Sequence, residues 1–490
     1  MQLKKVKIKD YSGLTDIEVF IQNSLMYIVS DNNVGKTRTL KAIDNFFNGK
    51  DNANLEITYE FTQEEIKELN SKHNLELLEE STFIQKDKKI LFNNKDYTSF
   101  IRNKKILGQC FYIPTIVNFD DQQDLSKAKN QLSSVIIDLI SDDDKLKKSM
   151  VKLNKDYNNY VKQIKEKSKN MFLNINDSIL FDDFNVSIDG TDINGNQLIK
   201  SNLYLDYSNS SGPIDLNKCG TGVQSNIINS ILTNFPRKQY TIILYDEPES
   251  YLNSTAQKKL INKINNNINN SLYIIATHSP FIIKRSVDTF KSIIRLQKKN
   301  SNAILYQYND IKYKKYVKNV NEFLQKSGLT ETKYLLKDDI YKTILTWWET
   351  DRVNALFENK IVLVEGPTES IFFDICCSDN NYCVVNTIGK WKIPYFKIFF
   401  EDILGIKVMI IYDKDDEKKP VHKSFNSWIM TTNYFLENDI DLENKLGYKS
   451  PKNQYMKPQM LIENYLNNKI DINKINALKI AIENEYKKMT

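Results

Sequence analysis

Long apolar runs are missing from this 490-residue chain. No stretch approaches the roughly 18 consecutive apolar residues that a membrane-crossing helix needs. The most strand-like runs, 241–245 and 407–412, are short. The basic start, MQLKKVKIKD, is followed by no apolar core and no small-residue cleavage site, so no secretory signal is expected. Cysteine is scarce. There are five, an odd number, at 110, 219, 376, 377 and 383, with no C-x-x-C spacing. That argues against a disulfide framework and against a structural zinc site, and it favours a reducing cytoplasm. Three histidines argue equally against a multi-histidine metal centre.

What is present suits a folded chain. Hydrophobic residues make up 41% and charged ones 27%, enough for a sizeable core. Length alone suggests about three domains. Lysine plus arginine exceeds aspartate plus glutamate by 68 − 62 = 6. Residues 145–170 hold nine lysines against Asp156 and Glu166, which covers the whole excess. Such a stripe suits a phosphate backbone, although a solvated helix face carries the same charge.

Residues 3–8, 17–21 and 26–30 read as strands, the last running into a Gly-Lys-Thr loop and a helix from about residue 37. Further strands are expected at 55–61, 89–92 and 109–113. Residues 122–175 contain neither proline nor glycine, and their apolar residues recur at helical spacing, as in a helical insert. Residues 184–207 return to strand and turn character, with Asp189-Gly190 and Asn194-Gly195 as turn signals. A helix after Gly222, a strand at 241–245, a helix at 254–266 and a strand at 272–276 give an α/β pattern with a buried parallel core. Residues 310–357 look mainly helical, and a second α/β unit begins at Lys360.

Chemistry concentrates in two places. Ser30-Asp31-Asn32-Asn33-Val34-Gly35-Lys36-Thr37 fits G-x-x-x-x-G-K-S/T except that Ser30 stands for the first glycine. Such a loop points N–H groups at phosphate, its lysine reaches the β/γ-phosphates, and its hydroxyl binds Mg²⁺. The run 241–245 ends in Asp246-Glu247, one carboxylate for the Mg²⁺ shell and one to polarise the attacking water. His278 follows the next strand, where a γ-phosphate sensor would sit. Gly220 and Gly222, in Leu216-Asn-Lys-Cys-Gly-Thr-Gly-Val-Gln224, lie at a helix start. Together these segments resemble an ABC-type ATPase head. By that resemblance Asn32, Asn33, Gly35, Lys36, Thr37 and Arg38 form the phosphate loop. Asp246 and Glu247 are the Walker B pair, and His278 is the switch histidine. Gly220 and Gly222 would complete the site of a partner subunit. Ser30 adds a Cβ where the loop wants glycine freedom, and the signature match is loose, so ATP binding with slow hydrolysis is expected.

The second place is Ile361-Val-Leu-Val-Glu365-Gly366-Pro-Thr-Glu369, followed by a strand ending in Asp413-Lys414-Asp415-Asp416. Acids at the carboxyl ends of parallel strands mark sites in α/β folds, and hard oxygen donors suit Mg²⁺ or Mn²⁺. The pair resembles a Toprim domain, with its glutamate at Glu365 and its D-x-D at Asp413 and Asp415. Ile388-Gly389-Lys390 between them corresponds to that family's small-residue turn.

An ABC head followed by Toprim resembles the OLD (overcoming lysogenisation defect) family of endonucleases, which includes Gabija-type and retron-linked members. The resemblance implies an α/β fold: a head over 1–305 with a dimerising insert at 122–175, a helical linker at 306–357 and Toprim at 358–490. It also implies ATP, Mg²⁺ or Mn²⁺, a double-stranded DNA substrate, homo-oligomers and a role in antiphage defence. A helicase or reverse transcriptase would be the partner, and no membrane would be involved. The second-metal acids would be Glu369 and Glu443, and the late lysine Lys457, for which a surface role is equally open. The alternative is an SMC-like ATPase that clamps DNA without cutting. The insert, about 50 residues without sustained heptads, speaks against it.

Overall fold

The computed structural model describes residues 1–49, 51–114, 184–194, 197–207, 214–215, 240–250, 252–266, 268, 270–283, 289–299, 302–326, 350–378, 382–415, 419–438 and 441–489, with 184–194, 197–207 and 214–215 as backbone alone. The expected insert at 122–175, the lysine stripe and the Gly220–Gly222 stretch lie outside the described residues. The chain divides into two compact units, 1–28 with 35–284 and 29–34 with 285–490. Among the described residues no helix is long and apolar enough to cross a membrane.

In the first unit β1 (Gln2–Tyr11), β2 (Leu14–Phe20), β4 (Ala53–Glu60), β5 (Glu80–Asp87), β6 (Lys89–Phe92) and β7 (Lys95–Asp96) form an antiparallel sheet in the order β2-β1-β4-β5-β6-β7. A register shift between Leu3 and Lys5 keeps Leu3, Val6 and Ile8 on one buried face despite their mixed spacing. A second group is wholly parallel: β3 (Leu25–Val29), β13 (Ser271–Ala276), β12 (Thr241–Asp246) and β8 (Gln109–Ile113), neighbours in that order. Every residue of β3, β12 and β13 is buried. This is why their sequences read as unbroken apolar runs rather than as an alternation. The register sets Asp246 opposite Ala276 and Ala276 opposite Ile28, so the three strands end level. The helix α1 (Lys36–Phe47) follows β3 and buries Leu40, Ile43, Phe46 and Phe47.

Three expectations need correction or addition. Asp189-Gly190 is not a turn but lies inside β9 (Phe184–Asn194), which pairs with β10 (Gln197–Tyr207). Gly190 faces Ser201 beside a register shift, so its conformational freedom serves a bulge instead. A short β11 (Ile214–Asp215) joins β10. The helix Gln63–His73 buries none of its residues and so shows no apolar stripe; only its Thr62/Glu65 capping box marks it.

In the second unit β14 (Ile293–Lys299) and β15 (Asn302–Gln307) form a hairpin that the sequence did not suggest. The helix Asp310–Lys326 follows. Then come β16 (Lys360–Val364), the helix Pro367–Cys376, β17 (Val384–Asn386), β18 (Lys407–Asp413) and β19 (Phe435–Asn438). The sheet is parallel throughout, in the order β17-β16-β18-β19.

Arg295 of β14 is fully buried and ties this unit together. Its guanidinium donates to the carbonyls of Leu356, Leu404 and Glu358 and to Asn359 Oδ1. Burial lowers its pKa to about 10. Asn359 in turn donates to Asp31 Oδ2 at 3.2 Å. Replacing Arg295 leaves two buried carbonyls, of Leu356 and Leu404, without their donor. We expect Arg295→Ala to cost at least about 3 kcal/mol in denaturant unfolding, and an unchanged midpoint would show that water replaces the guanidinium.

Candidate nucleotide and metal sites

The level ends of β3, β12 and β13 gather the first site. Lys36, the first residue of α1, is buried and is bonded to His278 Nε2. The Thr37 hydroxyl donates to Asp246 Oδ1 at 3.0 Å, and the Tyr112 hydroxyl holds Asp246 Oδ2 at 3.0 Å. The two groups that would share a Mg²⁺ therefore already touch. Glu247 takes positive φ, 48°, and its N–H donates to the Ala276 carbonyl at 2.8 Å. Its carboxylate lies 3.6 Å from His278 Nε2. Burial, then the charge of Asp246, raises its pKa. An ammonium, an imidazole and a helix start around one opening make a place for phosphate.

Gly35 is required. Its φ is 126°, and a Cβ there would come within 2.8 Å of Leu14. Ser30 needs no such freedom: in the loop 30–37 only Asn33 and Gly35 have positive φ. The serine is buried, and its hydroxyl donates to the Asp31 carbonyl at 2.6 Å. The expected backbone strain at Ser30 is thus absent. The Asn32 N–H donates to Asp31 Oδ1 at 2.7 Å, and Arg38 donates to the Ser12 carbonyl at 3.0 Å, in the β1–β2 turn. One residue escaped the sequence reading. Glu249 accepts from the His278 N–H at 2.6 Å and from the Thr277 hydroxyl at 2.8 Å, which fixes the loop that carries His278.

The second site lies at the carboxyl ends of β16 and β18. Their pairing aligns Val364 with Ile411, so Glu365 emerges beside Asp413. The Asp413 N–H donates to Glu365 Oε1 at 2.8 Å, and Asn438 at the end of β19 donates to Asp413 Oδ1 at 2.9 Å. Glu369 reaches back over the first turn of its helix and accepts from the Gly366 N–H at 3.0 Å. Glu443, buried on the short helix Leu442–Leu446, receives Lys457 at 3.1 Å, and Asp441 lies 3.6 Å from the same ammonium. The two short motifs around Glu443 and Lys457 therefore meet in space. The tertiary structure also adds Asn438 and the ammonium of Lys390, 2.9 Å from Asp415 Oδ2. Neither role was legible in the chain.

Crowding governs the electrostatics. Burial, then Asp413, pushes Glu365 well above the usual carboxylate range. Burial also raises Glu369, and burial with the charge of Glu369 pushes Asp413 up to about 8. For Lys457 burial acts downward, but Glu443 and Asp441 outweigh it and the net shift is upward. The donor set is all oxygen, and Glu443 Oε1 is buried without a hydrogen-bond partner among the described residues. Those features fit a divalent ion. As placed, no three carboxylate, histidine or cysteine side chains among the described residues stand close enough to grip one.

Comparison with known proteins assigns both halves. Residues 50–283 match the family model described as an AAA ATPase domain. Residues 356–415 match that of the overcoming lysogenization defect protein-like TOPRIM domain. Over 256 residues the chain is 27% identical to "Endonuclease GajA" of Bacillus cereus (strain HuB5-5). That alignment takes in 46% of this chain and 35% of the relative, so the chain spans well under two thirds of that protein's length. Among solved structures, the Smc head bound to the C-terminal winged-helix domain of ScpA shares 12% identity at a TM-score of 0.44, covering 64% of this chain and all of that one. The SMC head domain from Thermotoga maritima shares 12% at 0.34, covering 63% and all of that chain. An ATPase head and a Toprim domain on one chain define the class. In both halves the chain is similar to the OLD-type ATPase–Toprim proteins.

A carboxyl group whose pKa is raised on folding binds a proton that the unfolded chain has released. Its stabilisation is complete below about pH 4 and is lost as pH rises through about 8 for Asp413. Chelator-treated protein should therefore lose stability between about pH 5 and 8, and Asp413→Asn should flatten that fall. Thermal melts across this range test it, and parallel profiles for the two proteins would refute the assignment.

Proposed function

We propose that this protein is an ATP-binding, divalent-metal-dependent endonuclease of double-stranded DNA. The head, 1–305, regulates the Toprim nuclease, 358–490, through the helical linker 306–357, in cytoplasmic antiphage defence. The observation that carries this reading is the pairing of Glu365 and Asp413 at the ends of two parallel strands, with Glu369 and Glu443 close enough to act on their charge, in a chain similar to an endonuclease.

In this reading Glu365, Asp413 and Asp415 hold one Mg²⁺ or Mn²⁺, and Glu369 and Glu443 hold a second. Bound there, such ions activate water and neutralise charge on the scissile phosphate. The chain supplies orientation: Asn438 fixes Asp413, and Gly366 fixes Glu369. Lys457 offers a cation to developing phosphate charge. In the head, Lys36 takes the β/γ-phosphates within the loop of Asn32, Asn33, Gly35 and Arg38. Thr37 and Asp246 hold Mg²⁺, Glu247 orients water, and His278 reads the γ-phosphate. Gly220 and Gly222 complete the nucleotide site of a second copy, so the working form is a homodimer or larger. The 122–175 insert adds a second contact between copies, and its lysines flank the DNA. A helicase or reverse transcriptase of the same defence system is the expected partner protein.

Plasmid nicking in Mg²⁺ or Mn²⁺ tests the nuclease. Glu365→Ala and Asp413→Ala should each abolish it, and cutting that survives both would move the active site. Lys36→Ala should weaken binding of a fluorescent ATP analogue at least tenfold, by loss of a charge-assisted phosphate contact of roughly 1.5–3 kcal/mol. Unchanged binding would place the nucleotide elsewhere.

A further inference from the structure

The acidic cluster already contains a cation of the chain's own. Lys390 is 6% exposed. Its ammonium donates to the Asp413 carbonyl and to Asp415 Oδ2, the latter at 2.9 Å, and lies 4.0 Å from Glu365 Oε1. Local backbone geometry sends it there. The Thr387 N–H and hydroxyl both donate to the Val364 carbonyl, at 3.0 and 2.9 Å, and the Gly389 N–H donates to the Glu365 carbonyl at 2.7 Å. Ile388 and Gly389 have φ of 55° and 123°, so the turn after β17 is tight and stapled to the end of β16. The next residue, Lys390, then reaches across to the end of β18.

The oxygens around this ammonium are those a divalent ion needs. A lysine and a dication cannot share Asp415 at such range without strong repulsion. Lys390 lies between Glu365 and Asp415 and so occupies the place where these two acids would close on an ion. The ammonium does not depend on the carboxylates alone: its nitrogen also lies 4.9 Å from the centre of the Phe425 ring and 5.5 Å from that of Tyr412, faces that attract an ammonium. His422 Nδ1, 3.6 Å from Asp415 Oδ2, remains beside the carboxylate.

We propose that Lys390 is a placeholder cation: it neutralises Glu365 and Asp415 in the metal-free chain and releases Asp415 when a divalent ion enters. This rests on reading the acidic cluster as a divalent-metal site, and it sets the metal affinity from within the chain. A lysine that merely braces Asp415 makes the opposite forecast, because removing it would loosen a ligand and weaken the metal.

The test is calorimetric titration of Mg²⁺ into the full chain after chelator treatment. Lys390→Gln should bind about tenfold tighter than wild type while melting lower without metal. Lys390→Arg, which keeps the charge, should stay close to wild type. Equal or weaker binding by Lys390→Gln overturns the proposal. Wild-type protein that binds no Mg²⁺ or Mn²⁺ overturns the metal-site reading and the proposal with it. Should Lys390→Gln not fold, acetylation of wild-type Lys390, followed by mass spectrometry, replaces it. Mg²⁺ should raise modification of Lys390 several-fold and leave Lys360 unchanged, and no rise would overturn the proposal.

Discussion

Two buried strands that end side by side, β16 and β18, impose the constraint on which the second unit turns. Their register leaves Glu365 and Asp413 no choice but to share one dry pocket. Burial alone disfavours either charge there, and each disfavours the other. Much of what surrounds the pair answers that repulsion. Asn438 donates to Asp413, and the Asp413 N–H donates back to Glu365. Lys390 and Lys457 each bring a positive charge to one side of the cluster. The turn at 387–389 adopts positive φ at Ile388 and Gly389 to deliver the first of these lysines. A site this compressed stores its capacity for a cation in its own electrostatics.

The nucleotide site uses the same device with the signs reversed. Again parallel strands end level, but here they bring Lys36 against His278 and Thr37 against Asp246. Ser30 shows how little the first position of the loop demands: a buried serine with negative φ serves, while the real conformational burden falls on Asn33 and Gly35. Glu249 then fixes the histidine loop through two hydrogen bonds, away from the phosphate opening.

Arg295 shows a different use of buried charge. Its hydrogen bonds go to carbonyls rather than to a carboxylate, so it joins segments more than a hundred residues apart in sequence, while the charges of Asp31 and Glu358 offset part of the cost of its burial. Nothing in the local sequence IIRLQKK distinguishes it from a surface arginine at the end of a strand.

The sequence by itself determined the parallel strands and their terminal chemistry. Unbroken runs such as 241–246 and 407–413 can be satisfied only by burial on both faces, and their last residues must then emerge at a common edge. That much is local. The hairpin of β14 and β15 was not legible, nor was the polar helix Gln63–His73, because neither carries an apolar period that sets it apart from its flanks. Asp189-Gly190 misled because the glycine freedom that makes a turn also makes a bulge. The meeting of Glu443 with Lys457, the hold of Asn438 on Asp413 and the burial of Lys390 among the acids were decided only by tertiary structure. Each depends on which strand lies next to which, and a lone lysine or asparagine carries no sign of the neighbour it will find across a sheet.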